Sequence, residues 1–204
     1  PTYFSENVLL NMQGSTSVDN IILKAKKAIN TNDFRILSIK KDVVILDVRH
    51  HNKFVQGYIP NSIFIGIDGG FAPWVGTILK KVSTPILLVC EYDRLEETAI
   101  RLSRVGFDNI LGHLDGGIRS WDKKDLESIA SISASDFNSI YQANNMIDIV
   151  DVRKESEYNL GHILYSKLVP LSLLNNFKEQ FIKCQENYIH CAGGYRSVIA
   201  CSLL

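Results

Sequence analysis

One cysteine stands where this chain of 204 residues could carry out chemistry, because a glycine-rich turn and an arginine follow it directly. Cys191 ends an apolar, strand-like run, and a helical pattern begins at Ser197. The loop between them consists of Ala192, Gly193, Gly194, Tyr195 and Arg196. Glycines allow backbone dihedrals that point successive N–H groups inward, and a helix N-terminus attracts negative charge. The pattern therefore predicts a thiol inside an anion-binding ring.

This environment favours the thiolate form of Cys191. A free cysteine has a pKa of about 8.5 and is mostly protonated at neutral pH, whereas a helix N-terminus and a positive charge bring that pKa to about 7 or lower. The helix predicted from Ser197 and the side chain of Arg196 supply both. Cys191 is therefore predicted to be a nucleophile in covalent catalysis, and Arg196 to orient the loop and stabilise anionic charge.

Loop length separates sulfur chemistry from phosphate chemistry. Cysteine-dependent phosphatases and arsenate reductases also close a His-Cys loop on an arginine, but a tetrahedral oxyanion needs one residue more between the two. Four residues, 192–195, lie between Cys191 and Arg196, and none of them is acidic and able to act as a general acid. The sequence thus favours a ring suited to one sulfur atom. Phosphatase-type chemistry and a non-catalytic interaction module are the two alternatives.

The elements that must position this loop occur twice. Asp47–Arg49 recurs as Asp151–Arg153 at an offset of 104 residues, and each follows an apolar run typical of a strand buried on both faces. Ile86–Cys90 matches Tyr188–Cys191 at an offset of 101 residues. Two copies of one α/β unit explain the chain, and each copy is predicted to be a mostly parallel sheet flanked by helices.

Periodicity and turn residues divide the chain into a connecting segment, 1–14, a first unit, 15–124, and a second unit, 125–204. A helix is predicted from Ser15 onward, and another from Leu95 to Val105. The apolar face of the first of these helices consists of Val18, Ile21, Ile22, Ala25, Ala28 and Ile29.

Composition argues against several classes of partner. The formal net charge is zero, which gives no electrostatic case for nucleic acid or an anionic membrane surface. No apolar run approaches the roughly 20 residues that span a bilayer. Four cysteines without a Cys-x-x-Cys pair predict neither a zinc site nor a disulfide scaffold. We expect reduced thiols, a cytoplasmic location, and neither a metal nor a cofactor in these residues.

The motifs resemble those of tandem rhodanese-like proteins, over nearly all of residues 40–204. In that family an Asp-x-Arg strand end precedes a Glu-(Phe/Tyr)-x-x-Gly-His-Ile stretch and then a Cys-x-x-Gly-x-Arg loop. The matching residues here are Asp151, Arg153, Glu157, Tyr158, Gly161, His162, Ile163, Cys191, Gly194 and Arg196. The resemblance implies a sulfurtransferase that moves a sulfane sulfur from thiosulfate or a low-molecular-weight persulfide to a thiol or cyanide acceptor through a Cys191 persulfide.

The first unit departs from the family pattern where the chemistry lies. Lys53 stands in place of Glu157. No glycine follows Cys90 in its loop, and Leu95 replaces the arginine. The first unit is therefore predicted to be degenerate, with Cys90 a buried cysteine at a strand end, and only the second unit to be catalytic.

The remaining matched residues are predicted to support the loop. Asp151 and Arg153 anchor the strand end, since the first unit keeps both residues, and His162 provides a stabilising hydrogen bond. Glu157 pairs with an arginine near the loop. His190 is predicted to pack in the core. Ala192 occupies a position where many family loops carry a second arginine, so a bulkier or less charged persulfide donor is favoured over thiosulfate.

Both ends of the chain suggest a longer polypeptide. The opening segment, 1–14, resembles the join that follows a metallo-β-lactamase-fold domain in fusions of a persulfide dioxygenase-like domain with two rhodanese units. An upstream metal domain in the same polypeptide is therefore expected. Only 13 residues follow Cys191, so the second unit is expected to be truncated at its C-terminus, without its last strand and closing segment.

Overall fold

The computed structural model describes residues 17–181 and 186–204. The chain divides into two compact units between Ser128 and Ile129. Each unit is an α/β structure whose named strands pair in parallel, which confirms the predicted fold class of parallel sheets flanked by helices. The predicted connecting segment, 1–14, lies outside the described residues.

The first unit alternates helices with strands. Its helices are α1 (Val18–Lys26), α2 (Thr31–Ser38), α3 (His51–Gln56), α4 (Phe71–Leu79) and α5 (Leu95–Ser103). Its strands are β1 (Ala28–Ile29), β2 (Val44–Asp47), β3 (Ile63–Phe64), β4 (Ile86–Val89) and β5 (Ile110–Leu114). Short 3-10 helices span Tyr92–Arg94, Gly117–Ser120 and Lys123–Asp125.

The first sheet has the strand order β1-β5-β4-β2-β3, and its central strands carry the core. β4 is buried along its whole length because helices cover both faces of the sheet, which explains the continuous apolar run in the sequence. Alternate side chains of β4 enter different core clusters, with Leu87 packed alongside Phe34 and Leu88 alongside Ile21. The loop that follows β4 is therefore fixed to a rigid strand.

The second unit repeats this plan with a smaller sheet. Its helices are α6 (Ala134–Ala143), α7 (Glu155–Leu160) and α8 (Tyr195–Leu203), and its strands are β6 (Asp148–Asp151), β7 (Lys167–Leu168) and β8 (Asn187–His190). Short 3-10 helices span Leu171–Asn176 and Lys178–Gln180. The strand order is β7-β6-β8, with Asp151 opposite His190 in the parallel register. Four successive residues at the centre of α8, Ser197, Val198, Ile199 and Ala200, are buried.

The predicted helix from Ser15 ends earlier than its periodicity indicates. α1 stops at Lys26, and Ala28–Ile29 form β1 instead of extending the helix. β1 pairs with β5, and the backbone carbonyl of Lys27 accepts a hydrogen bond from the N–H of His113. A Cβ atom on Gly112 would lie 2.5 Å from the Lys27 carbonyl oxygen, so only glycine permits this close approach. Pairing between distant segments overrides the local helical pattern here.

A similar correction applies to the predicted helix Leu95–Val105. α5 ends at Ser103, and the chain turns at Gly106, whose φ of 81° lies in the left-handed region that favours glycine. The turn is thus at the predicted residue, but the last helical turn is already unwound before it. No helix in residues 17–181 or 186–204 has the length and apolar character needed to cross a membrane.

Candidate active site at Cys191

Cys191 lies between the end of β8 and the start of α8. Gly194 has a φ of 84°, in the left-handed region, and this turn lets the chain enter the helix at Tyr195. The helix therefore begins two residues before the predicted start at Ser197, and Arg196 lies in its first turn and not in the loop. The backbone N–H of Val198 donates to the carbonyl of Gly194 at 3.0 Å and fixes the first turn.

The thiol of Cys191 is held in a ring of donors. Burial raises its pKa, but the backbone N–H groups of Ser197, Gly193 and Arg196 and the Ser197 hydroxyl lower it further, so the pKa lies below its ordinary value. Cys191 Sγ is 3.6 Å from Ser197 Oγ. In this arrangement the Cys191 thiol donates to Ser197 Oγ, and Ser197 Oγ donates its own proton to the carbonyl of Gly194 at 2.9 Å. The backbone N–H groups of Gly193, Arg196 and Ser197 stabilise a thiolate.

Arg196 links this loop to α7 through a two-bond ion pair with Glu157. Arg196 Nη1 donates to Glu157 Oε2 at 2.6 Å, and Nη2 donates to Oε1 at 2.8 Å. The hydrogen bonds from Arg196 and from the backbone N–H of Lys154 lower the pKa of Glu157 to about 2. The guanidinium of Arg196 also bonds to the Cys191 sulfur. Glu157 thus orients a cation beside the thiolate.

A second arginine, Arg153, forms a buried ion pair with Asp151 at the end of β6. Arg153 Nε and Nη2 donate to the carboxylate of Asp151, with Nη2 2.6 Å from Oδ2, and Nη2 also donates to the carbonyl of Gly161 at 2.8 Å. Asp151 is fully buried. We call Asp151 and Arg153 the Asp–Arg fork of the second unit, because together they join the end of β6 to the end of α7.

The first unit contains the same fork. Arg49 donates to both carboxylate oxygens of Asp47, and its Nη2 donates to the carbonyl of Gly57 at 2.9 Å. Each atom pair has its counterpart in the second unit. The fork is therefore a property of the repeated fold and does not depend on an intact cysteine loop.

His162 lies at the end of α7. Its Nδ1 is 3.0 Å from the carbonyl of Tyr158, and the two rings stack with centroids 3.7 Å apart. The Tyr158 hydroxyl donates to the carbonyl of Ser166 at 2.7 Å, which ties α7 to the segment before β7. The contact between His162 Nδ1 and the Tyr158 carbonyl thus stabilises the end of α7.

His190 has contacts that a purely packing role does not explain. It precedes Cys191 on β8, and its Nε2 lies 3.6 Å from Asp151 Oδ2. This nitrogen is buried and has no hydrogen-bond partner among the described residues. The aligned residue of the first unit, Val89, is apolar and fully buried. That replacement within the repeat is the sequence signal that sets His190 apart.

The loop at Cys90 has the opposite electrostatics. Burial, together with the charges of Asp47 and Glu91, raises the pKa of the Cys90 thiol to about 11, although a bond to Thr98 and the charge of Arg94 act to lower it. Lys53, at the position of Glu157, forms an ion pair with Glu91 at 2.7 Å. The acidic partner therefore lies in the cysteine loop itself, where it disfavours a thiolate.

Alkylation should distinguish the two thiols. Only the thiolate reacts, so its rate rises with pH up to the pKa of the thiol and then levels off. At pH 7 we expect iodoacetamide to modify Cys191 in the folded chain while Cys90, with a pKa of about 11, stays unmodified. Peptide mass spectrometry measures both sites in one sample. Equal labelling rates at Cys90 and Cys191 would contradict the assignment.

Comparison with known proteins gives one family. The model of the rhodanese-like domain matches residues 30–124 and 133–204. A thiosulfate sulfurtransferase, GlpE of Pseudoalteromonas translucida (strain TAC 125), is 30% identical over 91 residues, which cover 44% of this chain and 83% of that protein.

Two solved structures resemble this chain at lower similarity. A thiosulfate sulfurtransferase from Pseudomonas aeruginosa is 21% identical with a TM-score of 0.42, covering 85% of this chain but only 37% of that one. The 3-mercaptopyruvate sulfotransferase SseA from Escherichia coli is 15% identical with a TM-score of 0.38, covering 88% of this chain and 93% of that one.

Proposed function

Because this chain belongs to the rhodanese-like domain family, we propose that its second unit is a sulfurtransferase that works through a persulfide on Cys191. One observation carries the proposal: Cys191 lies at the start of α8, where the backbone N–H groups of Gly193, Arg196 and Ser197 lower the pKa of its thiol and Arg196 places a positive charge beside it. The name of the similar GlpE protein, a thiosulfate sulfurtransferase, agrees with it. The first unit, where burial raises the pKa of Cys90, is proposed to be non-catalytic.

The first step forms the persulfide. The Cys191 thiolate attacks the outer sulfur of an anionic donor, so a new S–S bond forms while the donor's own S–S bond breaks. The electron pair of the broken bond leaves with the remainder of the donor, as sulfite from thiosulfate or as a thiolate from a persulfide. The outer sulfur, now bonded to Cys191, carries the negative charge. The ring of N–H groups around position 191 stabilises that charge before and after the transfer.

The second step returns the enzyme to its starting state. A thiolate or cyanide acceptor attacks the outer sulfur of the Cys191 persulfide, and the electron pair of the broken S–S bond restores the Cys191 thiolate. Donor and acceptor therefore react in turn, which predicts ping-pong kinetics. Arg196, held by Glu157, stays beside the sulfur through both steps and needs no rearrangement.

The open mouth of the loop favours a large donor over a small dianion. Ala192 brings no charge, and both Ala192 and Gly193 are exposed. A Cβ atom built on Gly193 would have no heavy atom within 4 Å among the described residues, so the loop is open at Gly193. We therefore propose a low-molecular-weight persulfide as the preferred donor, with thiosulfate as a weaker one.

Persulfide trapping tests the proposed function. The chain is incubated with glutathione persulfide or with thiosulfate, and the Cys191 peptide is examined by mass spectrometry. We expect a gain of one sulfur atom with both donors, faster with glutathione persulfide, and its removal by cyanide. Absence of the adduct with both donors, or turnover of an aryl phosphate in its place, would overturn the proposal in favour of a phosphatase or an interaction module.

The proposed setting of the reaction is the cytoplasm, because Cys90, Cys191 and Cys201 are free thiols and a reducing compartment keeps them so. The proposed partners are small molecules, the sulfur donor and the thiol acceptor. An upstream metallo-β-lactamase-fold domain stays a prediction from the opening segment, 1–14, which lies outside the described residues.

A further inference from the structure

His190 lies between the Asp–Arg fork and the nucleophile. On the fork side, its Nε2 is 3.6 Å from Asp151 Oδ2, which is too far for a hydrogen bond. On the loop side, the backbone of Cys191 interacts with the ring and raises its pKa, as a hydrogen-bond acceptor does. Because Nε2 has no partner among the described residues, we assign this interaction to the other ring nitrogen, Nδ1. His190 therefore already contacts the backbone of Cys191, whereas its contact with Asp151 of the fork is not yet a hydrogen bond.

The first unit shows that the fold does not require this histidine. Val89 occupies the aligned position on β4, and the fork of Asp47 and Arg49 forms there with the same bonds. A buried nitrogen without a partner costs free energy, whereas a valine at the same place costs none. Thus the histidine occurs only in the unit whose loop holds a low-pKa thiol. Its unpaired nitrogen lowers the stability of that unit, and packing alone does not compensate for this loss.

The charged groups described around the ring determine its protonation. Burial lowers the pKa of His190, and the positive charge of Arg153 lowers it further, while Asp151 and the Cys191 backbone raise it. The net direction is downward, so the ring is neutral at pH 7 with its proton on Nδ1. A proton added at Nε2 would face the Asp151 carboxylate, and the 3.6 Å gap would become an ion pair.

We propose that His190 is a positioning residue of this active site, whose ring ties Cys191 to the Asp–Arg fork and whose Nε2 takes up a proton that completes the tie. The proposal rests on the proposed function only in taking Cys191 as the nucleophile. The imidazolium would also place a positive charge beside Cys191, and by linkage the thiolate would persist to lower pH than it would without His190.

Two substitutions at position 190 test this. His190→Val copies the first unit, where valine is accommodated at the aligned position, so the variant is expected to fold. His190→Gln keeps a permanent donor toward Asp151 but cannot titrate. The measurement is the rate of Cys191 alkylation by iodoacetamide between pH 4.5 and 9, roughly spanning the ordinary histidine and cysteine pKa values. This readout needs no sulfur donor, so it is independent of whether sulfur transfer occurs.

We expect the wild-type alkylation rate, plotted against pH, to show two ionisations. The first appears as a shoulder below the ordinary histidine pKa, where the His190 imidazolium stabilises the Cys191 thiolate. His190→Val should follow one ionisation, with about a tenfold lower rate at acidic pH. His190→Gln should also lose the shoulder but retain more of the rate at neutral pH than His190→Val. His51→Gln, which removes a histidine of the first unit whose pKa burial also lowers, is the matched control and should leave the profile unchanged.

A His190→Val profile identical to that of the wild type would overturn the proposal. So would a shoulder that survives in both variants, since another group would then be responsible. Hydrogen exchange of β6 and β8 serves as the check on folding. If Cys191 alkylation behaves as expected but no persulfide forms, the proposed function fails while the assignment of His190 stands.

Discussion

Replacing Cys191 with serine is expected to abolish sulfur transfer and to leave no persulfide on the chain. A serine hydroxyl stays protonated at neutral pH and is a poor nucleophile toward sulfur, whereas the Cys191 thiol has a lowered pKa. The loss should be at least about a thousandfold in kcat/KM, as is usual when the covalent nucleophile itself is removed. Sulfite release from thiosulfate and mass spectrometry of the Cys191 peptide measure the two effects.

The matched control is Cys90→Ser in the first unit. Cys90 is buried beside Thr98, and its raised pKa of about 11 keeps it protonated. Serine fits the same position, so sulfur transfer should be unchanged. Residual transfer in Cys191→Ser that disappears in the double variant would assign the chemistry to Cys90 and would contradict the proposed division of labour between the units.

Asp151→Ala should destabilise the second unit by about 3–5 kcal/mol, the usual cost of removing one partner from a buried ion pair. Asp151 is fully buried, and its loss would leave Arg153 with only the carbonyl of Gly161. The strand end and the end of α7 would then lose their common anchor. Because α7 carries Glu157 and β6 pairs with the strand that carries His190, the geometry of the Cys191 loop should be disturbed together with stability.

The ion pair of Asp151 and Arg153 also predicts that the second unit loses stability at acidic pH. Burial raises the pKa of Asp151, but the hydrogen bonds from Arg153, with the charges of His190 and Arg153, hold it below the ordinary value of 3.8. The folded state therefore binds fewer protons at this site than the unfolded state. Its stabilising contribution is complete above pH 3.8 and is lost as the pH falls through the lowered pKa.

The two units can be followed separately in these experiments. Both tryptophans, Trp74 and Trp121, lie in the first unit, so denaturation monitored by their fluorescence reports on that unit. Hydrogen exchange at β6 and β8 reports on the second. Asp151→Ala should accelerate exchange there and leave the fluorescence transition unchanged, and Asp47→Ala should do the reverse. Unchanged exchange at β6 in Asp151→Ala would show that the fork does not stabilise the unit.

The repeat explains why the fold was predictable. Two similar stretches of sequence, 104 and then 101 residues apart, predict the same strands in both units. Buried parallel strands also produce continuous apolar runs such as Ile86–Val89. The sequence-based prediction was wrong where contacts with distant segments determine the local structure. Ala28 and Ile29 fit a helical face, but β5 recruits them into the sheet, and no local pattern reveals that pairing.

The site was predictable in its residue types and less so in its geometry. The glycines after Cys191 indicate an anion-binding turn, yet the left-handed conformation of Gly194, which starts the helix at Tyr195, depends on the folded backbone. The bond between Glu157 and Arg196 joins residues 39 apart in the chain, and only the folded structure gives its distances. The unpaired Nε2 of His190 could not be predicted for the same reason, because only the folded structure shows what surrounds it.

The Asp–Arg fork, present in both units, has a consequence for which substitutions each unit tolerates. The first unit has no glycine after Cys90 and has Leu95 where the second unit has Arg196, yet its fork of Asp47 and Arg49 forms every bond. The fork therefore contributes to folding in both units, whatever the sequence of the cysteine loop. Substitutions at the exposed residues 91–93 should accordingly leave the first unit folded.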